Sequence, residues 1–148
     1  PGQVVIAGTK ASVERASALD AARKLKAIPL KVSAPFHCAL MAPAAERMRA
    51  ELEAVAFGPL EFPVVSNVEA RPNDDPRRVA ELLVRQIDGA VRWQQTVELM
   101  AAQGVDRALE IGPGKVLAGL VKRIDKRISV HSVGDPESVA RLAEARGA

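Results

Sequence analysis

The alternation of short apolar runs with longer amphipathic runs is the feature that most constrains the fold of this 148-residue chain. Runs rich in valine, isoleucine and leucine predict strands, whereas apolar residues spaced three and four apart predict helices. The predicted strands are 4–7, 28–33, 63–68, 106–111 and 128–133, and the predicted helices are 10–26, 43–55, 76–88, 93–104, 115–125 and 136–146. Strands that alternate with helices across short turns indicate an α/β fold with a largely parallel sheet.

The composition narrows the class of protein further. Hydrophobic residues make up 48% of the chain and charged residues 26%, which is typical of a globular domain. A single cysteine cannot form an internal disulfide, and two histidines with that cysteine make a poor metal set, so a reducing, cytoplasmic compartment is predicted. The net charge of +3 is too small to predict a nucleic-acid partner, and no apolar run is long enough to span a membrane. The chain opens P-G-Q and enters an apolar run at once, so we expect it to be a piece of a longer protein.

One loop carries most of the possible chemistry. The stretch S-A-P-F-H-C-A-L-M at 33–41 contains His37 and the only cysteine, Cys38, between a predicted strand and a predicted helix. Histidine exchanges protons readily near neutral pH, and such loops are where α/β enzymes place catalytic groups. The alternative is a hydrogen-bonded structural histidine beside a small buried cysteine. Because no serine lies in a G-x-S-x-G turn, a catalytic His37 would need a nucleophile from outside these residues.

One glycine-rich stretch and one basic stretch are also candidate binding sites because of their composition. The sequence G-P-G-K at 112–115 follows a strand and precedes a helix, but it matches neither the P-loop nor the dinucleotide fingerprint. A tight strand-to-helix turn is therefore predicted, although the helix N-terminus could favour an anion. The basic residues between 122 and 127 predict a solvated helix end, with docking of an acidic carrier as the alternative.

Several stretches, taken together, resemble the malonyl-CoA:acyl carrier protein transacylase family. They are P-G-Q-V-V-I-A-G, V-S-A-P-F-H-C-A-L-M, P-V-V-S-N-V, L-V-R-Q-I, V-R-W and E-I-G-P-G-K-V-L-A-G-L, in order along essentially the whole chain. The resemblance implies that residues 33–148 are the C-terminal part of the large, hydrolase-like, parallel-sheet acyltransferase subdomain. It implies that residues 1–32 are part of a small ferredoxin-like subdomain.

The resemblance also implies a reaction and its residues. A malonyl group would pass from coenzyme A to a serine, as an ester, and then to the phosphopantetheine thiol of acyl carrier protein, in fatty-acid or polyketide biosynthesis. His37 would be the general base, and the main-chain carbonyl of Gln86 would orient its ring. Asn67 would lie near the site, and Phe36 would favour malonyl over methylmalonyl groups. The implied partners are malonyl-CoA, which is the substrate, and acyl carrier protein, with no cofactor, metal, nucleic acid or membrane.

The family's catalytic serine, its carboxylate-binding arginine and its oxyanion loop belong to an N-terminal part that this sequence lacks. The resemblance therefore predicts that these residues alone are inactive, that the missing N-terminal half is a partner, and that apolar surface and sheet edges are exposed. Two alternatives stay open: a non-catalytic fragment that docks carrier protein, and an acyltransferase domain of a polyketide or fatty-acid synthase. A hydrolase with the same Ser–His chemistry would instead release free malonate.

Overall fold

The computed structural model describes residues 2–147. The helices are α1 (Lys10–Ala22), α2 (Ala42–Glu53), α3 (Val79–Asp88), α4 (Trp93–Ala102), α5 (Val116–Ile124) and α6 (Pro136–Gly147). The strands are β1 (Val64–Val65), β2 (Pro72–Asn73), β3 (Arg107–Ile111) and β4 (Ser129–Val133), and short 3₁₀ turns precede α2 (Ala39–Met41) and α3 (Pro76–Arg78). The residues group into two compact units, 2–92 and 93–147. The subdomain boundary after residue 32 stays a prediction.

Residues 93–147 form the parallel sheet that the sequence predicts. β3 and β4 pair in parallel, with Arg107 opposite Ser129 and Ile111 opposite Val133, and α5 connects them. The core beside the sheet consists of apolar side chains from α4, from α5 and from the residue directly before β4: Val97, Ala101, Val121 and Ile128. All the predicted elements of this unit are present, with ends shifted by one or two residues.

In residues 2–92, α2 packs against α3, and β1 and β2 form a short antiparallel pair. The sequence predicts Thr9 and Asp75 as the capping residues of the helices at 10–26 and 76–88. Both predictions are confirmed, because each side chain accepts a hydrogen bond from a backbone N–H of the first turn. Helical spacing in the sequence predicts that Met48 of α2 and Leu83 of α3 are buried, and both predictions are wrong because the two side chains are exposed. Ala45 of α2 and Val84 of α3 are buried instead.

The strands predicted at 4–7 and 28–33 are wrong, because both runs lack regular structure. Their apolar side chains are exposed, and Val4, for example, is 87% exposed. A strand needs a neighbour to take its backbone hydrogen bonds, and no strand among residues 2–147 pairs with either run. The strand predicted at 63–68 shrinks to β1 because the chain turns at Ser66, whose N–H donates to Arg71 O at 3.2 Å.

Of the helices within residues 2–147, none has both the length and the apolar character that a membrane span requires.

Candidate active site

His37 is held by the carboxyl-terminal turn of α3. The ring Nδ1 atom lies 2.8 Å from the main-chain oxygen of Gln86, and the His37 backbone N–H donates to Ile87 O at 3.2 Å. The last carbonyls of a helix have no partner inside the helix, so they are available to accept such bonds. One histidine therefore satisfies two successive terminal carbonyls of α3, through its ring and through its backbone.

These contacts determine which ring nitrogen carries the proton. A carbonyl oxygen can only accept a hydrogen bond, so the neutral ring must carry its proton on Nδ1. The lone pair then lies on Nε2, and the side chain of His37 is exposed. An exposed Nε2 with a lone pair can take a proton from a hydroxyl or a thiol.

The backbone of His37 is strained. Its φ is +61°, in the left-handed region that residues other than glycine rarely adopt. The preceding residues turn tightly, with Phe36 N–H donating to Ala34 O at 2.9 Å and the Cys38 thiol donating to Pro35 O at 3.1 Å. Strain of this kind persists only where surrounding contacts hold it, and it is frequent in active sites.

Three of the four residues that the resemblance singles out are linked. The Asn67 side-chain amide donates to Gln86 Oε1 at 3.1 Å, while the Gln86 main-chain oxygen contacts the His37 ring. Gln86 thus connects the other two, with its side chain on Asn67 and its backbone on His37. Phe36 lies beside His37 on the loop and is about half exposed, at 49%. The catalytic and binding roles of all four residues remain predictions.

Glu69 is a residue of this region that the sequence reasoning missed. Its carboxylate accepts from Arg85 Nη1 at 2.6 Å and from Arg78 Nη2 at 3.0 and 3.1 Å. Hydrogen bonds from Arg85 and then Arg78 lower the pKa of Glu69 below its ordinary value. The signal in the sequence was the seven-residue spacing of the two arginines, which places them on one face of a helix.

Gly89, directly after α3, lies close to the last turn of that helix and to Val68. A β-carbon at this position would lie 2.5 Å from Arg85 O and 3.0 Å from a methyl group of Val68. A β-carbon at these distances would force the backbone or the Val68 side chain to shift. Gly89 is therefore required by packing, and its φ of −90° is one that any residue can adopt.

The nucleophile of a histidine-based reaction is not evident in this region. The Cys38 thiol donates to Pro35 O, whereas the adjacent His37 ring contacts Gln86 O. Four serine hydroxyls are hydrogen-bonded to groups other than His37: Ser12, Ser66, Ser132 and Ser138. No three His, Cys, Asp or Glu side chains in the range 2–147 are grouped so that they could hold a metal ion.

The G-P-G turn in residues 93–147 is structural, as the sequence predicts. The Glu110 carboxylate accepts from the backbone N–H groups of Leu117 and Ala118, at 2.8 and 3.2 Å, and from the Ser132 hydroxyl at 2.9 Å. Desolvation opposes ionisation of Glu110, but these hydrogen bonds outweigh it and lower its pKa. Because this carboxylate already occupies the start of α5, an anion-binding role for the turn is not supported.

Comparison with known proteins assigns the chain to a family. A family model described as an acyl transferase domain matches residues 1–143. The malonyl CoA-acyl carrier protein transacylase of Escherichia coli (strain K12) is 46% identical over 145 residues, which are 97% of this chain and 47% of that protein.

Solved structures agree with this assignment. A malonyl-transacylase in complex with its type II PKS acyl-carrier protein superposes with a TM-score of 0.87 at 45% identity, over 93% of this chain and 45% of that one. The acyl-carrier-protein-S-malonyltransferase of Bartonella henselae gives 0.86 at 41% identity, over 95% and 45% of the two chains. The chain spans about half the length of the curated relatives it matches. It belongs to the acyl transferase domain family.

Proposed function

We propose that this chain is the histidine-bearing half of an enzyme that transfers a malonyl group from coenzyme A to acyl carrier protein. The reaction runs through a seryl ester, and the serine lies in a part of the enzyme outside these 148 residues. The single observation that carries the proposal is the 2.8 Å contact between His37 Nδ1 and Gln86 O, which leaves Nε2 as an exposed base. The names of the relatives supply the substrate class.

In the first half-reaction, Nε2 of His37 takes the proton from the serine hydroxyl while the serine oxygen attacks the thioester carbonyl of malonyl-CoA. The carbon–sulfur bond then breaks, the malonyl group stays on the serine, and the imidazolium returns its proton to the sulfur of coenzyme A. The Gln86 carbonyl keeps its hydrogen bond from Nδ1–H throughout, so it stabilises the imidazolium and holds the ring in one orientation.

In the second half-reaction, the same nitrogen takes the proton from the thiol of the carrier's phosphopantetheine group. The sulfur attacks the seryl ester, the bond between the malonyl carbon and the serine oxygen breaks, and the serine recovers the proton from His37. Because one base serves both half-reactions, loss of His37 would impair acyl loading and acyl transfer alike.

Two further residues act on the substrate in this proposal. Phe36, half exposed beside His37, would limit the space for a methyl branch on the malonyl group, which changes selectivity only modestly. Asn67 would line the site next to Gln86, to which its side chain is bonded. The thioester substrate supplies the acyl group, so no cofactor is required, and the single cysteine is consistent with a cytoplasmic enzyme.

The test is a chimera in which the N-terminal part of the Escherichia coli relative precedes this chain. Malonyl-CoA is added, the covalent adduct is measured by intact mass, and acyl carrier protein is then supplied as acceptor. We expect a malonyl ester on the added part and its transfer to the carrier. His37→Ala should lower the transfer rate by about a thousandfold.

His131→Ala is the matched control, because His131 is the only other histidine and is exposed on β4 in the other unit. It should leave the rate within about twofold of the parent, as expected for a surface change. Full activity in the His37→Ala chimera would contradict the proposal. A parent chimera that binds carrier protein without forming any malonyl ester would also contradict it, and would favour the docking alternative.

A further inference from the structure

Three successive residues of the turn 66–71 contact the carboxyl-terminal end of α3. The Asn67 amide donates to Gln86 Oε1 at 3.1 Å, and the Glu69 carboxylate pairs with Arg85 at 2.6 Å. Between them, Val68 packs against Gly89, where an added β-carbon would lie 3.0 Å from a Val68 methyl group and 2.5 Å from Arg85 O. The turn therefore contacts the part of α3 that carries the carbonyls bonded to His37.

Glu69 also connects the two ends of α3. Arg78 immediately precedes the helix and Arg85 lies in its last turn, and the one carboxylate bonds both. The Glu69 side chain is only 20% exposed, so its ion pairs are screened by water less than those of a fully exposed carboxylate. By contrast, Glu81 pairs with Arg85 from within the helix, at 3.0 Å and with a half-exposed side chain.

The turn 66–71 is also held by hydrogen bonds of its own. Ser66 N–H donates to Arg71 O, Ala70 N–H donates to Ser66 O at 2.9 Å, and Glu69 N–H donates to the Ser66 hydroxyl. Past α3, the Arg92 N–H donates to Asn67 O at 2.8 Å. The turn is thus bonded internally and on both sides of the α3 terminus.

We propose that Glu69, with Asn67, is a positioning residue that holds the last turn of α3 where the Gln86 and Ile87 carbonyls orient His37. Glu69 does not touch His37, and it acts through Arg85 and the helix backbone. Its catalytic meaning rests on the proposed function, but its effect on the His37 ring does not.

The test reads the tautomer of His37 directly. Histidine is labelled with ¹⁵N in the 148-residue chain, and couplings between ring nitrogens and ring protons give the Nδ1–H to Nε2–H ratio, at about pH 8.5 where an ordinary imidazole is neutral. Two histidines give two sets of signals, so His131 serves as an internal reference. Glu69→Gln should lower the Nδ1–H to Nε2–H ratio of His37 by about threefold, as expected when a hydrogen bond loses its support, and should leave His131 unchanged.

Glu81→Gln is the matched control, because it removes an ion pair of Arg85 that does not involve the turn. It should leave both histidines as in the parent. Asn67→Ser breaks a different contact of the turn and should change His37 in the same direction as Glu69→Gln. An unchanged His37 in a folded Glu69→Gln chain overturns the inference, and so does loss of helical circular dichroism, which would assign Glu69 to folding.

This readout separates the inference from the proposed function. If the tautomer responds to Glu69→Gln while the chimera carrying His37→Ala keeps full transfer activity, the positioning role stands and the proposed function fails. If the tautomer does not respond while His37→Ala abolishes transfer, the proposed function stands and Glu69 has no positioning role.

Discussion

The two units of this chain differ in how far apart along the sequence the contacting residues lie. In residues 93–147, β3 and β4 pair across a single helix, and the core is drawn from neighbouring elements. In residues 2–92, helix α1 buries no residue, and the apolar runs on either side of it are exposed. The candidate active site lies in residues 2–92. There the ring of His37 is bonded to a carbonyl of a helix that comes 49 residues later in the chain.

A short apolar run therefore forms a strand only where a partner strand is available to pair with it. The runs at 107–111 and 129–133 have each other. The runs at 4–7 and 28–33 have a similar composition but no neighbouring strand among residues 2–147. Two carboxylates show the same contrast, because Glu110 joins two adjacent elements whereas Glu69 ties a turn to both ends of a helix.

We expect the largest change in stability when a buried valine is replaced, compared with an exposed one. Val97 is 0% exposed in the core of residues 93–147, so Val97→Ala should lower the free energy of unfolding by about 2 kcal/mol through lost burial and a residual cavity. Val5→Ala removes the same atoms from an exposed side chain and should change it by less than about 0.5 kcal/mol. Urea unfolding followed by circular dichroism measures both variants, and Trp93 fluorescence follows the unit that contains Val97. Equal effects would show that the contrast in packing is not real.

A smaller effect is expected from glycine replacements within residues 2–92. Gly89→Ala should destabilise the chain by about 1–2 kcal/mol, because the new β-carbon would meet Arg85 O at 2.5 Å. Gly58→Ala is the control, since a β-carbon there has nothing within 4 Å, and it should change stability by less than about 0.5 kcal/mol. Circular dichroism melts give the comparison. Stability of Gly89→Ala equal to that of the parent would argue against the close approach of Arg85 O and Val68 to Gly89.

We expect the smallest change in stability per group when single carboxylates are protonated at acid pH. The pKa values of Glu69 and Glu110 lie below the ordinary 4.5, and that of Asp125, beside Arg127, is lowered from 3.8 to about 2. Lowered carboxyl pKa values stabilise the folded state above the ordinary values, and this stability is lost as the pH falls through the lowered ones. Stability should therefore decline from about pH 5 towards about pH 2.

The contribution of one carboxylate can be isolated. Trp93 is the only tryptophan and lies in residues 93–147, so its fluorescence follows that unit. Glu110→Gln should weaken the dependence of the urea midpoint on pH below about 5, because the variant has no carboxylate at the start of α5. An identical pH dependence in parent and Glu110→Gln chains would mean that the capping contacts of Glu110 contribute nothing to acid stability.

The success of prediction from the sequence also differs between the two units. Local spacing located every element of residues 93–147 and the helix starts at Thr9 and Asp75. The contact between His37 and Gln86 came only from the family resemblance, because no spacing rule connects a loop to a carbonyl 49 residues later. Glu69 was missed since its two arginines lie on a different element, and which glutamate meets them depends on how the turn 66–71 folds back.

The contacts at the α3 terminus hold His37 with its proton on Nδ1 and a lone pair on Nε2. The most direct measurement is the ¹⁵N spectrum of the neutral His37 ring in the unmodified chain, with His131 as reference. We expect the proton of His37 to reside mainly on Nδ1, as a bond to the Gln86 carbonyl requires. A His37 ring with its proton mainly on Nε2 would contradict it.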